Sequence, residues 1–331
     1  MDALAGLLDG PRARGAFLLR AVFDPPWSIR VRDEAPITLM AVVRGSAWVV
    51  PDDGDPLELG VGDVAVARGP EPYTIADSPS TEPLVIVHPG QHCTDPAGRP
   101  LAQEMGLGVR SWGNDPDGAT TVLVGTYQRS GEVSRSLLTA LPTLLVLPHG
   151  AWDSPLMALL GEEIAKDDPG QDAVLDRLLD LLLIAVLRTW FSRPEARAPA
   201  WYLALGDPVV GRALRLIHGD PARPWTVAAL AAASGVSRAA LARRFTHLVG
   251  EPPMAYLTGW RLALAADLLR FPDTTVASVA RKVGYATPFA LSTAFKRVHG
   301  VSPQQYRLGE PPSEPRKKPE TPRRRVRVPS P

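Results

Sequence analysis

The feature that most restricts how this chain can fold is a stretch that occurs twice. TVAALAAASGVSRAALARRFTHLVG begins at Thr226, and TVASVARKVGYATPFALSTAFKRVHG begins at Thr275, about fifty residues further on. Aligned on Thr-Val, the copies agree at Ala228 with Ala277, Ala231 with Ala280, Gly235 with Gly284, Leu241 with Leu291 after one inserted residue, Phe245 with Phe295, and Gly250 with Gly300. A repeat of this kind is one supersecondary unit used twice, so both copies must satisfy the same local physics. Thr226 and Thr275 predict N-caps that accept backbone N–H bonds at the start of a helix. Ala231 and Ala280 are small enough for a second helix to cross closely. Gly235 and Gly284 predict a sharp turn with positive φ, where a side chain would be penalised. Ser237 and Thr287 predict the cap of the next helix, whose Leu241, Phe245, Leu291 and Phe295 turn inward. A helix, a glycine turn and a second capped helix make a helix-turn-helix, whose second helix is suited to a DNA major groove.

Between the copies, Pro253 to Arg270 reads as one helix of about 18 residues, hence about 27 Å long at 1.5 Å per residue. That length is comparable to one turn of B-DNA, roughly 34 Å, so the two second helices could enter successive major grooves on one face of a duplex. The charge balance agrees. The whole chain carries a formal net charge of +1. Residues 208–308 hold 13 Lys/Arg and 4 Asp/Glu, a net of 13 − 4 = +9, and residues 309–331 hold 7 and 3, a net of +4. The front 207 residues therefore carry 1 − 9 − 4 = −12. An acidic front joined to a basic back indicates a polyanion-binding module attached to one with another task, although charge that merely solubilises each part would look similar.

At 331 residues the chain suits two domains with linkers. Its single cysteine, Cys93, excludes an intramolecular disulfide framework and fits a reducing compartment. The opening MDALAGLLDGPRARG does not read as a signal peptide. The most apolar run, Leu181 to Leu187, is bounded by Asp180 and Arg188 and is too short to span roughly 30 Å of hydrocarbon. The expected location is cytoplasmic, with no membrane contact.

Residues 37–88 read as short strands: ITLMAVV from Ile37, SAWVV from Ser46, LEL from Leu57, DVAVA from Asp63 and LVIV from Leu84, punctuated by Gly, Asp and Pro. This spacing predicts an antiparallel sandwich or barrel. Another strand, TVLVGTY from Thr121, follows a loop. From Pro155 the period becomes helical, with Leu156, Leu159, Leu160 and Ile164 in one segment and Ala173 to Phe191 in the next. This helical pair either covers the sheet or meets a second copy of the chain. Pro194 to Pro199 reads as a linker, Asp207 to Leu308 as helical, and the tail from Gly309 as disordered, with Arg323 to Arg325 available for loose phosphate contacts.

With these motifs in place, residues 207–308 resemble the DNA-binding domain of the AraC family of transcription regulators, and KRVHGVSPQQYR from Lys296 resembles that family's signature. FDPPWSIRV from Phe23, VVRGSAWVV from Val42, LGVGDVAVA from Leu59 and LPTLLVLP from Leu141 resemble the cupin-type sensor domain of one branch. DPVVGRALRLIHGDPARPWTVAALA from Asp207 also resembles that branch. The implied fold is α+β and multidomain: a cupin-like antiparallel β-barrel at 1–150, a helical segment and linker at 151–200 suited to dimerisation, a tandem helix-turn-helix domain at 207–308, and a basic tail at 309–331. The implied function is a sequence-specific DNA-binding regulator, an activator by resemblance. It answers a small molecule, forms a homodimer and engages double-stranded DNA and RNA polymerase.

By resemblance, the base-facing residues of the first recognition helix are Arg238, Ala239, Ala242 and Arg243. Arg243 is the foremost base reader, because a guanidinium can bond guanine O6 and N7 together. Arg238 and Arg244 suit phosphate contact or simple solvation equally. The second recognition helix departs from the family pattern, offering Pro288, Phe289, Ala290 and Thr293 where polar residues, and Arg at Thr293, are common. Specificity is therefore expected mainly from the first unit, with Arg281, Lys282, Lys296 and Arg297 anchoring the second to phosphate.

Cupin enzymes hold a metal on closely spaced His and Glu. The matching stretch GPEPYTIAD from Gly69 has Tyr73 and no histidine. His88, His92 and Cys93 lie close in sequence but lack an obvious fourth ligand. No catalytic set, phosphate loop or dinucleotide fingerprint is visible, so neither catalytic residues nor a cofactor is expected. Trp27, Trp48 and Tyr73 could line a ligand pocket or simply pack the core. The competing readings are a metal-dependent cupin enzyme fused to a DNA-binding domain and a regulator controlled by a partner protein.

Overall fold

The computed structural model describes residues 17–101, 103–127, 138–151, 155–271 and 273–308. The opening segment and the basic tail with Arg323 to Arg325 lie outside the described residues. The strands are β1 (Phe17–Phe23), β2 (Ser28–Val31), β3 (Ile37–Arg44), β4 (Ala47–Pro51), β5 (Leu57–Leu59), β6 (Val64–Arg68) and β7 (Tyr73–Ala76), then β8 (Val85–His88), β9 (His92–Thr94), β10 (Gly106–Gly108), β11 (Ser111–Gly113), β12 (Thr120–Tyr127) and β13 (Leu144–Leu147). The helices are α1 (Leu156–Glu163), α2 (Gln171–Phe191), α3 (Ala200–Ala204), α4 (Val210–Gly219), α5 (Val227–Ala233), α6 (Arg238–Val249), α7 (Pro253–Leu269), α8 (Val276–Lys282), α9 (Pro288–His299) and α10 (Pro303–Arg307).

The strands form two sheets, ordered β10-β11-β1-β12-β3-β6-β13 and β5-β4-β7-β2-β8-β9. Of the sandwich or barrel that the spacing predicts, the sandwich is observed: the two sheets do not close on each other, and β1 with β11 and β2 with β8 add parallel pairs to the otherwise antiparallel ladders. The physical reason lies in the burial of the seven-stranded sheet on both faces. Along β3, Ile37, Leu39 and Ala41 belong to the core shared with the helices, whereas Met40 and Val42 belong to the core between the sheets. The run ITLMAVV, apolar except for the buried Thr38, reflects this middle-layer position, since a strand covered on both sides has no solvent face to alternate with. The result is three layers, with helices, a seven-stranded sheet and a six-stranded sheet in turn.

The outer layer is mainly α2, which buries Leu175, Leu179, Leu182, Leu183, Val186, Leu187 and Phe191. Each such side chain contributes about 1.5–3 kcal/mol on burial. Helix and sheet approach closely at Gly125 of β12, where an added Cβ would stand 2.4 Å from a Leu179 methyl. Of the two options for the helical pair, covering the sheet is the one observed, although Val174 and Leu181 on the outer side of α2 remain 44% and 49% exposed.

The apolar core continues past the loop at 194–199 into the back of the chain. Phe191 at the end of α2 contacts Tyr202 with ring centroids 5.0 Å apart, and α3 packs on α6. Trp201, Ala204, Val210, Leu214, Ile217, Leu230, Leu241, Phe245, Leu257 and Trp260 all belong to the same cluster as the outer face of the sheet. A separate core forms from Leu262, Ala265, Ala266, Leu269, Val279, Ala280, Val283, Leu291 and Phe295. Helix α7 thus serves two cores, its first half one and its second half the other.

Candidate nucleic-acid interface and front-domain cavity

Each repeat folds through the bonds its residues imply. Thr226 Oγ1 accepts from Ala229 N at 3.1 Å, and Ser237 Oγ accepts from Ala240 N at 3.2 Å. In the second copy Thr275 and Ser278 form a reciprocal capping box, and Thr287 Oγ1 accepts from Ala290 N at 3.1 Å. Gly235 and Gly284 take the turns at φ 72° and 83°. The second turn is more constrained, because a Cβ on Gly284 would also meet the Ala222 carbonyl oxygen at 2.6 Å.

These turns leave α6 and α9 with one face inward and the other free. In α6, Leu241 and Phe245 are fully buried, while Arg238, Ala239 and Arg243 are exposed and Ala242 is half-buried. In α9, Leu291 and Phe295 are buried, while Pro288, Phe289, Ala290 and Thr293 are exposed, Phe289 to 81%. Arg281 and Lys282 close α8 and Lys296 and Arg297 lie late in α9, all exposed. The rod between the units has 17 residues, hence about 25 Å of helix.

Arg244 sits differently from the other basic residues. Its Nε and a terminal nitrogen bond the Asp207 carboxylate at 2.9 and 2.5 Å, and Asp207 also accepts from the Val209 and Val210 N–H groups at the start of α4. Desolvation raises the Asp207 carboxyl, but the Val210 N–H, the Arg244 guanidinium and the Val209 N–H outweigh it and hold the group below its ordinary value. Arg244 therefore ties the first recognition helix to α4.

Beneath α6 lies an aromatic group. His218 Nε2 and Tyr256 Oη are hydrogen-bonded at 2.7 Å, and the His218 ring lies 4.2 Å from Trp260 and 6.4 Å from Trp201. Burial lowers His218 to about 4, so the imidazole is neutral at pH 7.

In the front domain a cavity of about 280 Å³ lies between the sheets, with Tyr73 on its wall. Trp27 is buried against Phe23, ring centroids 4.7 Å apart, beside a second pocket, and Trp48 is half-buried and lines neither. Asp33, Gln91 and Trp112 also line the cavity, and sequence reasoning missed them because two sit in turns and none forms a motif. His88 Nε2 bonds Thr94 Oγ1 at 3.0 Å, and burial pushes the Cys93 thiol up. Among the described residues no group of three or more His, Cys, Asp or Glu is placed to hold a metal ion. No helix among them is long and apolar enough to cross a membrane.

Comparison with known sequences adds two matches. A family described as a cupin covers residues 2–192, and one described as a helix-turn-helix domain covers residues 230–309. An AraC-like transcription regulator of Streptomyces lividans is 32% identical over 93% of this chain and 98% of its own. The regulator AlkR of Acinetobacter baylyi is 28% identical over 93% of this chain and 99% of its own. Among solved structures, the DNA-binding domain of AdpA in complex with a target DNA is 33% identical, covering 31% of this chain and 93% of that one, with a TM-score of 0.30.

Proposed function

The chain belongs to the AraC-type transcription regulators with a cupin front domain, and we propose that it reads DNA chiefly through α6 while the cavity between its sheets binds a small-molecule effector. The observation that carries this reading is the pair of glycine-turn helix pairs, each with a capped second helix whose outer face is free, joined by one rod. In the proposed complex Arg243 reads a guanine edge, flanked by Arg238, Ala239 and Ala242. Pro288, Phe289 and Thr293 face bases in the next groove, where apolar groups can meet thymine methyls. Arg281, Lys282, Lys296 and Arg297 hold phosphates, and the ion pair with Asp207 leaves Arg244 as a structural tie first and a phosphate contact second.

The reading divides the chain into a sensor at 1–150, a helical segment and linker at 151–200, a DNA-binding domain at 207–308 and a basic tail at 309–331. The core that runs from sheet to α6 supports coupling: effector binding shifts how firmly the first unit is held, and so promoter occupancy. Exposed Val174 and Leu181 on α2 support a homodimer through that helix. Cytoplasmic location, contact with RNA polymerase, activation and the absence of catalysis complete the proposal.

The test is binding of the full chain to fragments selected from a genomic DNA pool. Expected is a footprint of two half-sites about one helical turn apart, with affinity falling steeply as salt rises. Folded protein that associates with no DNA in a salt-sensitive manner would sink the reading.

A further inference from the structure

We propose that the front-domain cavity selects a small apolar monocation, whose charged end is held by the Asp33 carboxylate while its apolar body lies between the sheets. This rests on the effector reading above and adds the chemical class of the ligand. The cavity of about 280 Å³ is walled mainly by aliphatic side chains, among them Ile29, Val31, Met40, Ile75 and Val124. At about 30 Å³ per water it has room for roughly nine waters, and so for a ligand of about ten non-hydrogen atoms.

Asp33 stands on this wall as a carboxylate with neutral partners only. Its oxygens accept from the Ala35 N–H at 3.1 Å and from Gln91 Nε2 at 2.8 Å, and among the described residues no Lys, Arg or His is within ion-pair distance of it. A negative charge beside apolar walls, balanced by amides alone, favours a cation and repels an anion. Its field is felt across the cavity, since the Tyr73 hydroxyl is raised first by burial and then by Asp33.

The backbone supplies a second observation. Glu34 and Gln91 adopt φ 55° and 64°, a left-handed conformation uncommon outside glycine, and they flank the bond that joins Gln91 to Asp33. Such residues collect where ligands are clamped. Here the turn after β8 sets the Gln91 amide against the Asp33 carboxylate at the cavity wall, as a neutral stand-in for a cation. An ammonium or amidinium group that takes Asp33 displaces that amide and frees the turn between β8 and β9.

Calorimetric titration of the full chain with octylamine, 1-octanol and octanoate tests this, because the three share one apolar body and differ in charge. Octylamine should bind at least tenfold more tightly than 1-octanol, and octanoate most weakly. Asp33→Asn should bring octylamine down to the level of 1-octanol and leave 1-octanol unchanged. Should that variant fail to fold, Gln91→Leu decides: without the competing amide, octylamine binds severalfold more tightly and 1-octanol as before. Equal binding of all three, or a preference unmoved by these variants, overturns the inference while leaving an effector cavity in place. Binding by none of the three overturns the cavity reading as well.

Discussion

The two helix-turn-helix units share caps, turns and inward residues, yet they are supported by different cores and present different chemistry outward. The first is packed into the core that reaches the seven-stranded sheet, with Phe245 and Trp260 in the same cluster as Leu179 of α2. The second rests on a smaller core centred on Leu269, Leu291 and Phe295. Outward, Arg238, Ala239 and Arg243 of the first correspond to Pro288, Phe289 and Thr293 of the second. The repeat preserves what holds each helix pair together and releases what each pair contacts. The proposed division of labour, with the first unit receiving the signal and reading sequence and the second anchoring by charge and shape, rests on that contrast.

The largest effect should come from breaking the two cores separately. Phe245→Ala and Phe295→Ala should each cost about 3–5 kcal/mol, as expected for an emptied aromatic site. In calorimetry Phe295→Ala should add a separate low-temperature transition, whereas Phe245→Ala should lower the transition of the front domain too. A single shared shift for both variants would mean that the cores are not distinct.

Next comes acid. His218 is held at about 4 in the folded state against an ordinary 6.5, so the unfolded chain takes up a proton that the folded chain refuses. Its contribution is complete above about pH 6.5, fades as the pH falls toward 4 and levels off below, a loss approaching about 3 kcal/mol. Urea midpoints measured across that window should show the slope, and His218→Leu should flatten it.

The outward faces differ by a smaller margin. Arg243→Ala should remove about 1–3 kcal/mol of discrimination at one base position, and Thr293→Ala much less. Selection of bound sequences by each variant checks this, and a greater relaxation from Thr293→Ala would reverse the roles given to the two units.

The smallest contrast is at the caps. Thr226→Ala and Thr275→Ala should each cost about 1 kcal/mol, since each removes one side-chain acceptor from a helix start, and Ser278→Ala should add a smaller cost by taking the acceptor from the Thr275 backbone N–H. A denaturation midpoint unmoved by Ser278→Ala would show that the second bond of the box adds nothing.

Much of the DNA-facing half was legible in the sequence, because its determinants are short-range. Thr226, Ser237, Thr275 and Thr287 cap the helices they precede, and Gly235 and Gly284 occupy the turns. The front half was read less completely. Strands β2, β7 and β9 to β11 are only three or four residues long, too short to show a period, and the parallel pairing of β1 with β11 joins residues about ninety apart, as Arg20 opposite Ser111. Asp33 and Gln91 lie 58 positions apart and meet only when two turns fold toward one another. The pairing of Arg244 with Asp207, 37 positions away, likewise needed the packed helices before it could be seen.

By itself the sequence determined the tandem helical units, their turns and the charge that marks them for a polyanion, since each depends on residues within a few positions or on simple sums. Tertiary structure alone decided between sandwich and barrel in favour of two open sheets, placed the first unit's core together with the front domain's, and set a carboxylate beside an apolar cavity. Those features arise where surfaces distant in sequence bury one another, and neither caps nor periodicity records which buried face will meet which.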